Sequence, residues 1–205
     1  MHKSERMRRG LGYALVMVWA GGLSLVGCAP ASGEPNGRDG ELPRLLMEPP
    51  RDESGAIVVM ELDDAAWRER LSPEAYFILR QDGTERPWTS PLLKEKRAGV
   101  YACRASGVAL FDAKDKFDSG TGWPSFTRPI SEDRLTKVID RKYGMVRIEV
   151  RSAASDGHLG HVFEDGPAPT GLRYCINGDA LFFVPADEIE QASAEQPATQ
   201  PADAD

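Results

Sequence analysis

Val146, Ile148 and Val150 alternate with Arg147, Glu149 and Arg151, a period of two that gives a strand one buried and one wet face. Other short runs rich in β-formers, Tyr101, Leu110-Phe111 and Leu181-Phe182-Phe183-Val184, are separated by Gly, Pro, Asp and Ser and predict further strands. Arg173-Tyr174-Cys175-Ile176-Asn177 also reads as a strand, one that puts Arg173, Cys175 and Asn177 on a single face. Ahead of Gly83, Ile57 to Leu62 is a short apolar run and the pattern then turns helical. Asp63 to Arg70 carries a cap and helix formers with Asp64 as the start, and Ser72-Pro73-Glu74 puts Pro at a first helical position. The expectation is a mainly β protein, a small antiparallel β domain with helices confined to its N-terminal side.

The ends follow another pattern. Met1 to Arg9 is cationic, Gly10 to Leu25 is apolar or small, and Gly27 precedes Cys28, which reads as a signal peptide over residues 1–27. Its apolar run is shorter than the roughly 20 residues a membrane-spanning helix needs. Leu25-Val26-Gly27-Cys28 resembles a bacterial lipobox, and the resemblance implies cleavage before Cys28 with lipid attached to that residue. A lipid-anchored protein of the cell envelope, on the periplasmic side, is then expected; Ala29 after the cysteine leans towards the outer membrane. Residues 28–56, dense in Pro, Gly and charge, read as a flexible linker. Residues 186–205, acidic and without an aromatic, read as a disordered tail. The folded domain is expected over 57–185.

The chain has 205 residues, with 28% charged and 41% hydrophobic, which excludes a collagen, a coiled coil or a multispan membrane protein. Its net charge is −7, and the cationic leader makes the remainder more negative still. Such a body repels phosphate backbones, so nucleic acid is set aside as a partner. The three cysteines, Cys28, Cys103 and Cys175, are too few and too scattered for a disulfide scaffold or a four-cysteine zinc site.

The candidate chemistry begins at Cys175. A guanidinium and an amide flank it on the predicted strand, and Arg173 favours the thiolate, the nucleophilic form; a small buried core cysteine is the alternative. His158 and His161 sit three apart, too few ligands for zinc by themselves and suited to moving a proton to or from a cysteine and its substrate. A structural pair capping a turn is the alternative. Trp123, in a Gly- and Pro-rich loop, is either a core residue or the wall of a pocket, where its face would suit a thioether or its oxide.

The residues then carry a family resemblance. Gly83-Thr84-Glu85, Lys116-Phe117-Asp118-Ser119-Gly120-Thr121-Gly122-Trp123-Pro124-Ser125-Phe126, Gly144-Met145, His158-Leu159-Gly160-His161-Val162-Phe163, Asp165-Gly166-Pro167 and Gly171-Leu172-Arg173-Tyr174-Cys175-Ile176-Asn177 resemble, in order, the B-type peptide methionine sulfoxide reductases. The resemblance implies that Cys175 attacks the sulfoxide sulfur of methionine-R-sulfoxide in oxidised proteins or peptides. It gives His161 and Asn177 the protonation of the oxygen and His158 a supporting part. Trp123 and Phe163 would hold the methyl, Arg173 would tune the thiolate, and Asp165 would orient the histidine side. The sulfenic acid left on Cys175 is reduced by thiols, with a thioredoxin-like reductant as the implied partner. The implied fold is a small antiparallel β domain with barrel-like curvature, acting as a monomer.

The departures carry their own expectations. Many relatives bind structural zinc through two Cys-x-x-Cys pairs, whereas this chain has Cys103-Arg104-Ala105-Ser106 and Ser152-Ala153-Ala154-Ser155, so no metal or other cofactor is expected. Relatives that resolve the sulfenic acid internally often have a cysteine where this chain has Thr121. Cys103 is then the remaining candidate for a resolving cysteine, or a remnant of a lost zinc pair. Two rivals stand beside the enzyme: a catalytically silent envelope lipoprotein that keeps the fold to bind a partner, and a metal-binding domain built on His158 and His161.

Overall fold

The computed structural model describes residues 44–194; the lipobox, the signal peptide and the end of the acidic tail lie outside them. Two short helices open the domain. In α1 (Asp64–Arg70) the Asp63 side chain accepts a hydrogen bond from the Ala66 N–H at 2.8 Å, and in α2 (Pro73–Gln81) the Ser72 side chain caps Ala75 with Pro73 just inside the start. These are the caps the pattern predicted, because each side chain meets an orphan N–H of a first turn. α2 ends at Asp82, whose φ of 54° turns the chain towards Gly83-Thr84-Glu85.

Nine strands follow: β1 (Gly99–Cys103), β2 (Ala109–Asp112), β3 (Lys116–Phe117), β4 (Ser125–Phe126), β5 (Leu135–Asp140), β6 (Arg147–Ser152), β7 (His158–Phe163), β8 (Arg173–Ile176) and β9 (Leu181–Pro185). They form two curved antiparallel sheets, neither closed into a barrel, in the orders β2-β1-β9 and β3-β4-β8-β7-β6-β5. The mainly antiparallel β fold with few helices is therefore as expected, though the helices are not confined to the N-terminal side. Between the sheets Phe111 stacks on Phe126 at 4.4 Å and Tyr101 meets Phe126 edge-on at 5.0 Å, with Tyr174 against Phe111. α2 seats Ala75, Tyr76, Ile78 and Leu79 in the same core, each large apolar side chain contributing about 2 kcal/mol by leaving water.

Three expectations change. In β6 the faces are reversed over its first half: Val146 and Ile148 are 68% and 37% exposed while Glu149 is buried. The sheet overhangs the core at its β5–β6 edge, so Ile148 and its cross-strand partner Ile139 project into water, and the polar face turns inward over the site. The linker is shorter than 28–56, because Leu46 bridges Val108 in the β1–β2 hairpin and Glu48 reaches the buried Arg134 at 3.0 Å. The disordered tail expected from residue 186 begins instead with a helix, α3 (Ala186–Ala194). β9 delivers the chain to the Ala98 carbonyl, and Asp187 and Glu188 suit the positive end of a first turn.

Candidate functional site

A single cross-strand row gathers the candidate groups. Ser125 on β4, Cys175 on β8, His161 on β7 and Glu149 on β6 are successive register partners across the six-stranded sheet, so all four side chains share one face. β7 approaches β8 so closely that a Cβ at Gly160 would lie 2.0 Å from the Cys175 carbonyl oxygen, and only glycine fits there. Two histidines three apart in a regular strand would face opposite ways. Here the β6–β7 register slips by one residue, Val150 pairing with Gly160 but Arg151 with His158. This bulge returns His158 to the face of His161, with the two rings 5.5 Å apart.

Cys175 opens into a pocket of about 140 Å³, with Trp123, Phe163, His161, Asn177, Thr84 and Arg147 in its walls. Trp123 is held by an Nε1–H bond to the Glu85 carbonyl at 3.2 Å. Phe163 is braced by the Arg173 guanidinium, 4.4 Å above its ring. Asn177 is fixed at both ends of its amide, Nδ2 donating to the Leu159 carbonyl and Oδ1 accepting from the Glu85 N–H. Glu85 thereby joins both walls, and its buried carboxylate also accepts the N–H groups of Gly178 and Asp179. Its burial pushes the carboxyl up and those two N–H groups pull it back.

Charge around the thiol is arranged in pairs. Arg173 lies beside Cys175 and holds Asp165 through two bonds of 2.8 Å. The expectation that Asp165 orients the histidines is corrected here: the fork of Arg173 takes both its oxygens, and two other carboxylates serve the imidazoles. Glu149 binds His158 Nδ1 at 2.7 Å, and His161 Nε2 meets Asp140 Oδ2 at 2.9 Å. Asp140 is anchored in turn by the Lys142 N–H and by Arg147 at 2.6 Å; the Lys142 N–H first, then His161 and Arg147, hold its carboxyl well below the usual range. Burial pushes His161 down more than Asp140 raises it, so the ring is neutral near pH 7. With an anion facing Nε2, the proton sits on Nε2 and the free nitrogen is Nδ1. Burial also pushes the Cys175 thiol up; Arg173 and Thr121 offset this only in part. Arg173 favours the thiolate, as the isolated strand suggested, but its charge does not outweigh burial.

Asp82, Glu149 and His158 bring possible metal-binding atoms within 4.8 Å of one another. Arg151 already donates to both carboxylates, at 3.0 and 2.7 Å, so a guanidinium holds the place a cation would take. The other corner of interest joins two turns, Cys103-Arg104-Ala105-Ser106 and Ser152-Ala153-Ala154-Ser155. There the buried Cys103 Sγ lies 3.6 Å from Ser155 Oγ, and Ser152 Oγ is buried without a hydrogen-bond partner. One thiol and three neutral hydroxyls do not fit a tetrahedral zinc centre, which takes thiolate, imidazole or carboxylate ligands. Cys103 lies on β1 in the other sheet and lines neither the Cys175 pocket nor the cavity beside the histidines.

Sequence reasoning placed Cys175, Asn177, His158, His161, Trp123, Phe163 and Arg173 together and missed Asp140, Glu149, Arg147, Thr84 and Glu85 as their supports. Arg147 and Glu149 were visible as the polar phase of an alternating strand, and the Gly83-Thr84-Glu85 motif was visible without a role. Nothing local marks Asp140 as a support, since its side-chain partners lie seven and 21 residues away.

Residues 71–185 match the SelR domain. A peptide methionine sulfoxide reductase MsrB of Agrobacterium fabrum is 53% identical over 122 residues, 60% of this chain and 90% of that protein. The protein of the same name from Pseudomonas putida is 54% identical over 121 residues, 59% of this chain and 91% of its own. A third, from the archaeon Methanosarcina barkeri, is 52% identical over 132 residues, covering 64% of this chain and 93% of its own.

Proposed function

The chain belongs to the SelR-domain family of peptide methionine sulfoxide reductases and is an oxidoreductase that reduces methionine sulfoxide in proteins, and from that premise we propose that Cys175 is its nucleophile and the R epimer its substrate. The observation that carries the reading is the row of Cys175, His161 and Glu149 beneath an aromatic pocket. In the empty site both partners are neutral, thiol and imidazole. When the sulfoxide fills the pocket and expels water, His161 Nδ1 takes the Cys175 proton and the thiolate attacks the sulfoxide sulfur. The Sγ–Sδ bond forms as the S–O bond breaks, the proton passes from His161 to the leaving oxygen, and the resulting hydroxide adds to Cys175 Sγ as the Sγ–Sδ bond breaks, giving methionine and a Cys175 sulfenic acid. Trp123 and Phe163 hold the methyl by sulfur–aromatic and apolar contact. Asn177 directs its second Nδ2 hydrogen at the oxygen. His158, tied to Glu149, keeps the far side of the His161 ring in place.

Two thiol equivalents close the cycle. The first condenses with the sulfenic acid, releasing water and leaving a disulfide on Cys175, and the second releases the thiol. Both come from a thioredoxin-like reductant or another external thiol, since Cys103 is buried away from the pocket; no metal, flavin or nicotinamide is part of the cycle, and one chain suffices. The enzyme is exported and lipid-anchored at Cys28 on the periplasmic side of the envelope, which rests on Leu25-Val26-Gly27-Cys28. Mass spectrometry of native protein should find diacylglyceryl at an N-terminal Cys28, and an unmodified thiol there would remove the anchor. The catalytic reading is tested by a single turnover of R- and S-sulfoxide peptides with dithiothreitol as the later reductant. Methionine should form from the R peptide alone, one per Cys175, and equal rates on both epimers would overturn it.

A further inference from the structure

The Cys175 pocket is not alone on this face. A larger cavity of about 280 Å³ adjoins it, and the two share Thr84, Arg147 and His161 as common wall. At that junction Arg147 gives one guanidinium nitrogen to Asp140, while its Nε is buried with no hydrogen-bond partner among the described residues. A buried donor without an acceptor is rare, and one lying between two hollows points to an acceptor carried by what fills them. The oxidised methionine is part of a polypeptide, so once its side chain fills the smaller pocket the main chain crosses the rim where Thr84 faces Arg147. A peptide carbonyl is the acceptor that every such substrate brings there.

The second cavity is polar where the first is mostly aromatic and apolar. Glu149 uses only Oε1 towards Arg151 and His158, Gln81 stands exposed at the end of α2, and Lys142 and the half-exposed Phe77 also line the cavity. A branched aliphatic side chain would bury those groups without replacing their hydrogen bonds. A long polar one would satisfy them.

We propose that this cavity is a second subsite, which takes the polar side chain of one residue adjacent to the oxidised methionine, with the Arg147 Nε–H donating to the main-chain carbonyl between them. The proposal rests on the reading that the sulfoxide sits in the Cys175 pocket. One cavity serves one neighbour, so the preference falls on a single flank.

The test uses N-acetylated, C-amidated tripeptides with methionine-R-sulfoxide in the centre and Gln or Val at either flank, with dimethyl sulfoxide as a substrate that has no main chain. Wild type should favour Gln over Val by about tenfold in kcat/KM at one flank and by less than twofold at the other. Gln81→Trp, which fills the cavity from its rim, should abolish that preference through KM while dimethyl sulfoxide turnover and the melting temperature hold. Lys142→Ala, elsewhere in the cavity lining, should weaken the preference without removing it. Arg147→Lys keeps the charge but loses the Nε donor, and should raise KM for every tripeptide by about tenfold with a smaller change on dimethyl sulfoxide. Equal use of Gln and Val at both flanks by wild type, or a preference untouched by Gln81→Trp, would overturn the subsite. Failure of wild type to reduce any of these sulfoxides would instead overturn the placement of the substrate at Cys175.

Discussion

The two thiols in the described part of the chain occupy opposite kinds of surroundings. Cys103 is fully buried on β1, beside Ser155 and the unpartnered hydroxyl of Ser152. Cys175 is half-buried on β8, with Arg173, Thr121 and Asn177 about it and His161 across the strand boundary. Burial raises the cost of a thiolate at Cys175. What separates them is the second layer: around Cys175 three polar side chains are tied to a carboxylate or carbonyl, Arg173 to Asp165, His161 to Asp140 and Asn177 to Leu159. Around Cys103 there are hydroxyls without such ties. A thiol is made useful by neighbours that are held in place and by space for a substrate, and only one of these two has both.

The sharpest break of this comparison is exchange at each thiol. Cys175→Ser should lower sulfoxide reduction by at least about a thousandfold with the melting temperature nearly unchanged, since only the nucleophile is lost. Cys103→Ser should leave the first turnover intact and keep cycling with dithiothreitol within about twofold. Loss of cycling with a thioredoxin-type donor in that variant would return Cys103 to the role of resolving cysteine, with loop movement bringing the thiols together.

Next in size are the tied imidazoles. His161→Gln should reduce the single-turnover rate by about a hundredfold or more, the range of a lost proton-transfer group. Asp140→Asn should have a smaller effect, about tenfold, and move the acidic limb of the pH–rate profile to lower pH. The sign follows from Asp140 favouring the charged imidazole: without its charge His161 protonates only at lower pH.

A smaller effect concerns the thiol at rest. Because burial outweighs Arg173 and Thr121, the pH at which iodoacetamide alkylates Cys175 at half its maximal rate should lie above that of an ordinary cysteine thiol. Arg173→Met should raise it further, and a midpoint below that of free cysteine would show that the pocket makes thiolate without substrate. The smallest effect is expected at the other corner. Ser152→Ala removes a buried hydroxyl that has no partner, so stability by chemical denaturation should stay level or rise by up to about 1 kcal/mol; a loss of 2 kcal/mol or more would mean the hydroxyls form a connected network.

Much of this was legible along the chain. The two capped helices, the β-rich strands and the set Cys175, Asn177, His158, His161, Trp123 and Phe163 could be read because caps, period and motif are local properties. The short 28–56 tether and the tail were misread at their inner ends, where a single apolar contact at Leu46 and the delivery of β9 to the Ala98 carbonyl order residues whose composition alone would not.

By itself the amino-acid sequence singled out the side chains proposed to do the chemistry and the strands on which they ride. Only the tertiary structure decided their support. The one-residue slip between β6 and β7 is a property of two strands together, and it alone turns His158 to the face of His161. Whether Glu149 faced water or an imidazole depended on which side of the sheet the core filled. Asp165 and Asp140 could each have served His161, and pairing geometry assigned the first to Arg173 and the second to the histidine. Register, sheet curvature and charge pairing arise between segments distant along the chain, and a period of two carries no record of which neighbour a strand will meet.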